Sequence, residues 1–252
     1  MTARQQRLVF APLGTVDLGQ VGQGGSGSHY LSINGRQHIG KCRSRANGAW
    51  VCFNEFFAAR LATRLDLPIP PFQVVQFQGS LATSEQWFCS ERITPGANPV
   101  PATYGRLVNA EKLAGIAVFD IWLCNTDRSP TNLFAQQVGT NQERLFIIDH
   151  GHTLLTSGTL PALAAQDVAN FLRCNDLIDA ITNVNSLGQA IEAAAAVPEL
   201  EVIELIQNVP DAWIPDVGAL DPLRDFILTR RDRLRSIIEA NLQRFPKVHG
   251  GP

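Results

Sequence analysis

Apolar residues recur along this chain at two different spacings, and the change from one to the other divides it. In the first third they alternate with polar ones, as in Tyr30-Leu31-Ser32-Ile33 and Phe72-Gln73-Val74-Val75-Gln76-Phe77. That is the period-2 signature of half-buried strands. Asn34-Gly35, a preferred two-residue hairpin turn, follows the first of these and predicts residues 36–42 as the return strand. Residues 86–93 read as a further strand. Between the strands, Phe53, Phe56, Phe57, Leu61 and Leu65 fall on one face of a helix over 50–65. Leu67-Pro68-Ile69-Pro70-Pro71 ends that helix, because proline cannot continue it. Beyond the proline- and glycine-rich loop at 94–99 the spacing becomes helical. Its signals lie in 160–172, 175–181, 187–196, 199–207 and 220–244, with two strands at Leu133-Phe134 and 145–148. In the last helix Arg230, Arg231, Arg233 and Arg235 are interleaved with Asp225, Asp232 and Glu239, which reads as a solvated face. The pattern predicts an α+β protein, with a strand-rich N-lobe over 1–94 and a mainly helical C-lobe over 95–252.

Composition narrows the class. A chain of 252 residues that is 45% hydrophobic and 17% charged suits a globular protein with a sizeable core. Its net charge of −2 gives no basic footprint for direct nucleic-acid binding. The five cysteines are scattered and show no C-x-x-C spacing, as expected of reduced thiols in the cytoplasm. No run approaches the ~18–20 apolar residues of a membrane helix, and the N-terminus lacks the apolar core of a signal peptide. The expectation is a cytoplasmic protein away from membranes.

The chemistry concentrates between Val118 and His152. An apolar run at 116–123, broken by Asp120, leads into the polar loop Asn125-Thr126-Asp127-Arg128-Ser129-Pro130-Thr131-Asn132. The strand pair follows, and its second member ends at Asp149, with Gly151 two residues on. A hairpin can bring Asp127, Asn132 and Asp149 together. Phosphoryl transfer needs that set: a carboxylate to accept the proton of the attacking hydroxyl, and an amide and a carboxylate to hold magnesium on the phosphates. As plain structure, the first two are turn formers and Asp149 caps a strand.

Upstream, Gly24-Gly25-Ser26-Gly27-Ser28 opens the hairpin, and glycine lets backbone amides come close to phosphates. Lys41 on the return strand is positioned to reach the same phosphates as a cation. Glu55, beside the apolar face of the helix, reads either as the ion-pair partner of Lys41 or as a solvated residue. The main chain of Glu91, Arg92 and Ile93 could meet an adenine edge, or simply link the lobes. Asp149-His150-Gly151-His152 offers a lesser reading as a transition-metal site.

In ordered combination these pieces resemble the HipA-like kinases, a branch of the protein-kinase-like fold whose active-site loop is similar to that of the phosphoinositide kinases. The resemblance lies in Asn34-Gly35 followed by a strand lysine, and in Asn54-Glu55-Phe56-Phe57-Ala58-Ala59-Arg60-Leu61 before Leu67-Pro68-Ile69-Pro70. It continues in Ser90-Glu91-Arg92, Asn125-Thr126-Asp127-Arg128 through Asn132, Ile148-Asp149-His150-Gly151 and Arg230-Arg231-Asp232-Arg233-Leu234. It implies a bilobal kinase fold with ATP and Mg2+ between the lobes and a Ser/Thr hydroxyl of a protein as acceptor. Asp127 would be the catalytic base, Asn132 and Asp149 the metal ligands, and Lys41 the phosphate-binding lysine. Gly24, Gly25, Ser26, Gly27 and Ser28 would form the phosphate loop, and Glu91, Arg92 and Ile93 the adenine-binding hinge. Toxin members phosphorylate a serine of that loop, which marks Ser26 and Ser28 as sites of self-modification. Those toxins carry a histidine where this chain has Arg128-Ser129-Pro130-Thr131, so an antitoxin-like regulator remains an open partner. The alternatives are a small-molecule or lipid-headgroup kinase, an AMP transferase, and a catalytically silent nucleotide-binding scaffold.

Overall fold

The computed structural model describes residues 14–21, 27–46, 48–79, 81, 83–94, 96–97, 101–154 and 174–248. Gly24, Gly25, Ser26 and the helix expected over 160–172 lie outside the described residues. Strands β1 (Val16–Gln20), β2 (His29–Ile33), β3 (Arg36–Cys42), β4 (Phe72–Phe77) and β5 (Glu85–Glu91) form an antiparallel sheet in the order β1-β2-β3-β5-β4. Asn34 and Gly35 both turn with positive φ, 52° and 77°, which matches the twist of the β2–β3 hairpin. Alternation on these strands is what sorts the faces. Leu31, Val75, Trp87 and Cys89 bury together in one cluster, while Phe88 joins the core that includes helix α1 (Val51–Arg64).

The C-lobe carries a second sheet, β6 (Gly96–Ala97), β7 (Leu133–Gly139) and β8 (Gln142–Ile147). Here the chain departs from the pattern in two ways. The loop expected at 94–99 contributes β6, paired to β7 at Gln136 and Ala135. The hairpin is also longer than its apolar ends, because Asn141 (φ 55°) makes a tight turn and the ladder runs on through Gln136, Gln137, Glu143 and Arg144. Polar side chains do not prevent pairing where that stretch faces solvent.

Helix α2 (Leu113–Trp122) is buried along nearly its whole length, Asp120 included. It packs against α3 (Asn175–Ala180), α4 (Val184–Ala195) and α6 (Leu220–Glu239), and α5 (Glu199–Gln207) packs against α6. The solvated face expected on α6 needs correction. Arg230 is 1% exposed and its Nε donates to the Ile121 carbonyl at 2.7 Å, while Arg231 donates to the Val197 carbonyl. Arg230 thus caps the Ile121 carbonyl at the end of α2, which also accepts the Cys124 N–H at 3.3 Å, and Arg231 caps the Val197 carbonyl just past the end of α4. Trp213 links the lobes: its indole donates to the Gln86 carbonyl at 3.2 Å and meets Phe56 edge-on. Among the described residues, no helix is long and apolar enough to cross a membrane.

Candidate active site

Between the two sheets lies a cleft of about 300 Å3, bordered by Lys41, Glu55, Glu91, Asn132 and Asp149. Its charged end is built by β3, α1 and the turn after β8. Lys41 Nζ donates to Glu55 Oε1 at 2.5 Å and to Asp149 Oδ1 at 2.6 Å. Glu55, 3% exposed, also accepts the His150 backbone N–H on Oε2 at 3.1 Å. Helix α1 therefore presents a buried carboxylate, not the solvated one left open by its sequence. Asn54 beside it donates to the carbonyls of Gly151 and Thr153 at 3.0 and 2.6 Å, which ties the turn after Asp149 to α1.

The electrostatics follow from this packing. Burial pulls the Lys41 ammonium down, and the carboxylates of Glu55 and Asp149 more than reverse it, leaving it above its ordinary value. Burial works to raise the Asp149 carboxyl, and Lys41 outweighs it, lowering it to about 2. Burial pushes Glu55 up against the pull of Lys41. An ammonium on one oxygen and an N–H on the other nevertheless both favour the carboxylate, so the triad is charged as drawn. It carries one positive and two negative groups, an excess that a cation would offset.

His150 is held neutral, first by burial and then by the charge of Arg128. It is 1% exposed, stands edge-on to Phe119, and its Nε2 has no hydrogen-bond partner. Below about pH 6.5 the unfolded chain protonates this residue and the folded one does not. The unfolded state then binds more protons, so stability is full above that pH and falls as pH is lowered. The slope is at most about 1.4 kcal/mol per pH unit. Thermal unfolding between pH 7 and 5 checks this, and His150→Leu should flatten the dependence. An equal slope in the variant would mean that the imidazole charges in place.

The catalytic-loop candidates divide. Asn132 borders the cleft, and its Nδ2 donates to the Asp127 carbonyl at 2.8 Å. Asp127 itself is exposed and lies outside the enclosed part of the cleft, with its N–H on Asn125 Oδ1 at 3.2 Å. Of the glycine loop, Ser28 is buried at 5% and borders the cleft; its carbonyl accepts the Val21 N–H at 2.8 Å and closes the loop's root. Gly27 has φ +62°, and a Cβ there would fall 1.7 Å from the Arg45 carbonyl oxygen. Only glycine passes.

Ile39, Ile69, Phe88 and Phe134 give the cleft apolar walls, and Glu91, Arg92 and Ile93 also line it. Their charged side chains are engaged elsewhere, Glu91 with Arg36 and Arg92 with Gln37 and the Tyr30 ring. The Glu91 N–H donates to the Pro71 carbonyl at 2.7 Å, and Pro71 has no N–H to return to the Glu91 carbonyl.

Two residues that the sequence named only as members of motifs gain a role from the structure. Gly151 passes so close that a Cβ would lie 2.9 Å from Val51 Cγ1 and 3.6 Å from Lys41 Nζ. Arg128, 2% exposed, forms a buried ion pair with Asp120 of α2. A signal existed in Asp120: a carboxylate inside an apolar run needs a partner.

A sheet-rich lobe with a lysine–glutamate pair, a helical lobe with an Asp-x4-Asn loop and a strand-end Asp, and a cleft between them define the protein-kinase-like fold. The profile of the HipA-like kinases matches residues 31–243, and the chain belongs to that family. It is thus a kinase-type phosphotransferase. Among solved structures, the Helicobacter pylori proinflammatory kinase CtkA matches with a TM-score of 0.61 at 14% identity, over 96% of this chain and 98% of that one. HipA of Shewanella oneidensis, solved with HipB and operator DNA, matches with a TM-score of 0.50 at 13% identity, over 88% of this chain and 68% of that one. At such identities the likeness concerns the fold. No curated protein sequence matches the chain.

Kinases of this family use a nucleotide and a divalent metal, and the donor set fits them. An amide oxygen of Asn132 and a carboxylate of Asp149 are hard ligands of the kind magnesium takes. Among the described residues no group of three His, Cys, Asp or Glu is arranged to hold a metal ion, so His150 and His152 gain no further ligands of those types there.

Proposed function

We propose that the protein transfers the γ-phosphate of ATP to a serine or threonine hydroxyl of a protein in the cytoplasm, with 1–94 as the N-lobe and 95–252 as the C-lobe. The observation that carries this reading is Lys41 held between Glu55 and Asp149 at 2.5 and 2.6 Å, in a cleft that Asn132 also borders. Lys41 binds the phosphates, and Glu55 keeps it aimed at them. Asn132 and Asp149 would hold magnesium, and the glycine loop of Gly24, Gly25, Ser26, Gly27 and Ser28 binds the phosphates. The Glu91 carbonyl accepts from the adenine amino group, with Arg92 and Ile93 continuing that edge. Magnesium, when bound, offsets the charge of the β- and γ-phosphates. Asp127 orients the acceptor hydroxyl and takes its proton.

The exposure of Asp127 favours a macromolecular acceptor, since the base meets its substrate outside the enclosed cleft. Ser26 and Ser28 are the proposed sites of self-phosphorylation, and an antitoxin-like protein is the proposed regulator. The test is incubation with Mg2+ and ATP labelled at either the γ- or the α-phosphate, followed by mass spectrometry of the protein. The expected result is γ-label on Ser26 or Ser28 and on added protein substrates. Retention of the α-label on the acceptor would replace the reading with AMP transfer, and nucleotide binding without any transfer would leave a scaffold.

A further inference from the structure

None of the steps above uses Arg128, the residue next to Asp127. Its side chain is fully buried, as is that of Asp120, and four hydrogen bonds fix its guanidinium. Nε donates to Asp120 Oδ2 at 2.8 Å and Nη2 to Asp120 Oδ1 at 3.0 Å, a two-point grip on helix α2. Nη1 donates to the carbonyls of Asn132 and Ile148, both at 2.9 Å. The first carbonyl belongs to Asn132 itself, and the second immediately precedes Asp149. The two strands of chain also touch directly, through the Ile148 N–H on the Asn132 carbonyl at 3.1 Å. Asn125 completes the anchor by donating to Asp120 Oδ1 at 2.7 Å and accepting the Asp127 N–H.

One rigid fork therefore spans the two backbones that carry Asn132 and Asp149 and refers both to the end of α2. A lysine could not do this, because its ammonium is a point charge on a flexible stem. We infer that Arg128 is a positioning residue that fixes the spacing of Asn132 and Asp149 for a small divalent cation. The inference rests on the reading of those two residues as the cation's ligands. Magnesium demands short, near-octahedral contacts, so its site tolerates little drift, whereas a larger ion such as calcium accepts irregular geometry. Groups that orient ligands from behind typically alter metal affinity by ~10–100-fold when removed.

The test uses the full chain with Asp120→Leu/Arg128→Met, which replaces the buried pair by apolar side chains, and Arg128→Lys as a second variant. Exchange of a buried ion pair for packed apolar groups commonly leaves a protein folded. Calorimetry with a non-hydrolysable ATP analogue, without metal and with Mg2+ or Ca2+, reads binding independently of turnover. The expected result is metal-free nucleotide affinity within about twofold of the parent, with the Mg2+-dependent gain reduced ~10–100-fold and the Ca2+-dependent gain reduced less. Half-saturating Mg2+ for transfer should rise by the same factor. Folded variants whose Mg2+-dependent gain matches the parent would overturn the inference while leaving the proposed function intact. A parent protein with no Mg2+-dependent gain would overturn both. Loss of the folded state in both variants would count against the inference too, since the pair's role would then be stability.

Discussion

Asp127→Ala is expected to lower phosphoryl transfer ~10²–10⁴-fold, the usual contribution of a positioned general base, and to leave nucleotide affinity unchanged. The separation of effects follows from where the residue sits. The hydrogen bonds that fix its place in the loop are made by its backbone, through its N–H to Asn125 and its carbonyl from Asn132, and both survive truncation of the side chain. The carboxylate is exposed and does not border the enclosed cleft, so its removal takes nothing from the nucleotide pocket. Surface truncations of this kind shift stability by no more than about 0.5 kcal/mol. Single-turnover rates beside equilibrium nucleotide binding measure the two quantities separately. Full activity in the variant would remove Asp127 from the chemistry, and loss of nucleotide binding would place it in the pocket instead.

What could be read from the sequence was whatever local rules determine. Alternating side chains and Asn34-Gly35 fixed β2, the turn and β3 to the residue or nearly so, because hairpin register is set by adjacent residues. The proline cluster at 68–71 marked the end of α1 for the same reason. Asp127, Asn132 and Asp149 stood out as candidates by their spacing, although spacing could not say that Asp127 stays exposed while Asn132 and Asp149 border the cleft. Glu55 could not be settled either. α1 is buried around most of its circumference, including Asn54 and Glu55, so an amphipathic stripe gives no answer about a residue beside it.

The remaining surprises depend on what lies across a gap in sequence. Arg230 looked solvated because its neighbours are acidic, yet the Ile121 carbonyl over a hundred positions away holds it inside. Trp213 reaches Gln86 across the lobes by the same kind of distant pairing. Asp120 and Arg128 are only eight residues apart, but they meet because the loop doubles back on its own helix. Propensity and periodicity are silent on such contacts, which belong to tertiary packing.

Asp149 provides the second large effect, and the choice of substitution decides what it measures. The residue has φ 57°, where a Cβ is strained, and alanine there would mix that strain with the loss of the carboxylate. Asparagine tolerates this region, so Asp149→Asn removes charge and keeps the backbone. Lys41 keeps Glu55 at 2.5 Å, and the fold is expected to survive. A carboxyl lowered to about 2 contributes stability above its unfolded value near 3.8, and that contribution disappears as pH falls through about 2. The variant should accordingly lose on the order of 2 kcal/mol at neutral pH. Its functional loss should be far larger, at least ~10²-fold in transfer, because a carboxylate on the cation acts where charge develops on the phosphates. Nucleotide binding should cease to respond to Mg2+, unlike in Asp127→Ala, where that response persists. If Asp149→Asn retained a Mg2+-dependent gain in affinity equal to the parent's, the carboxylate would serve only to hold Lys41, and the cation would have to be held by other groups.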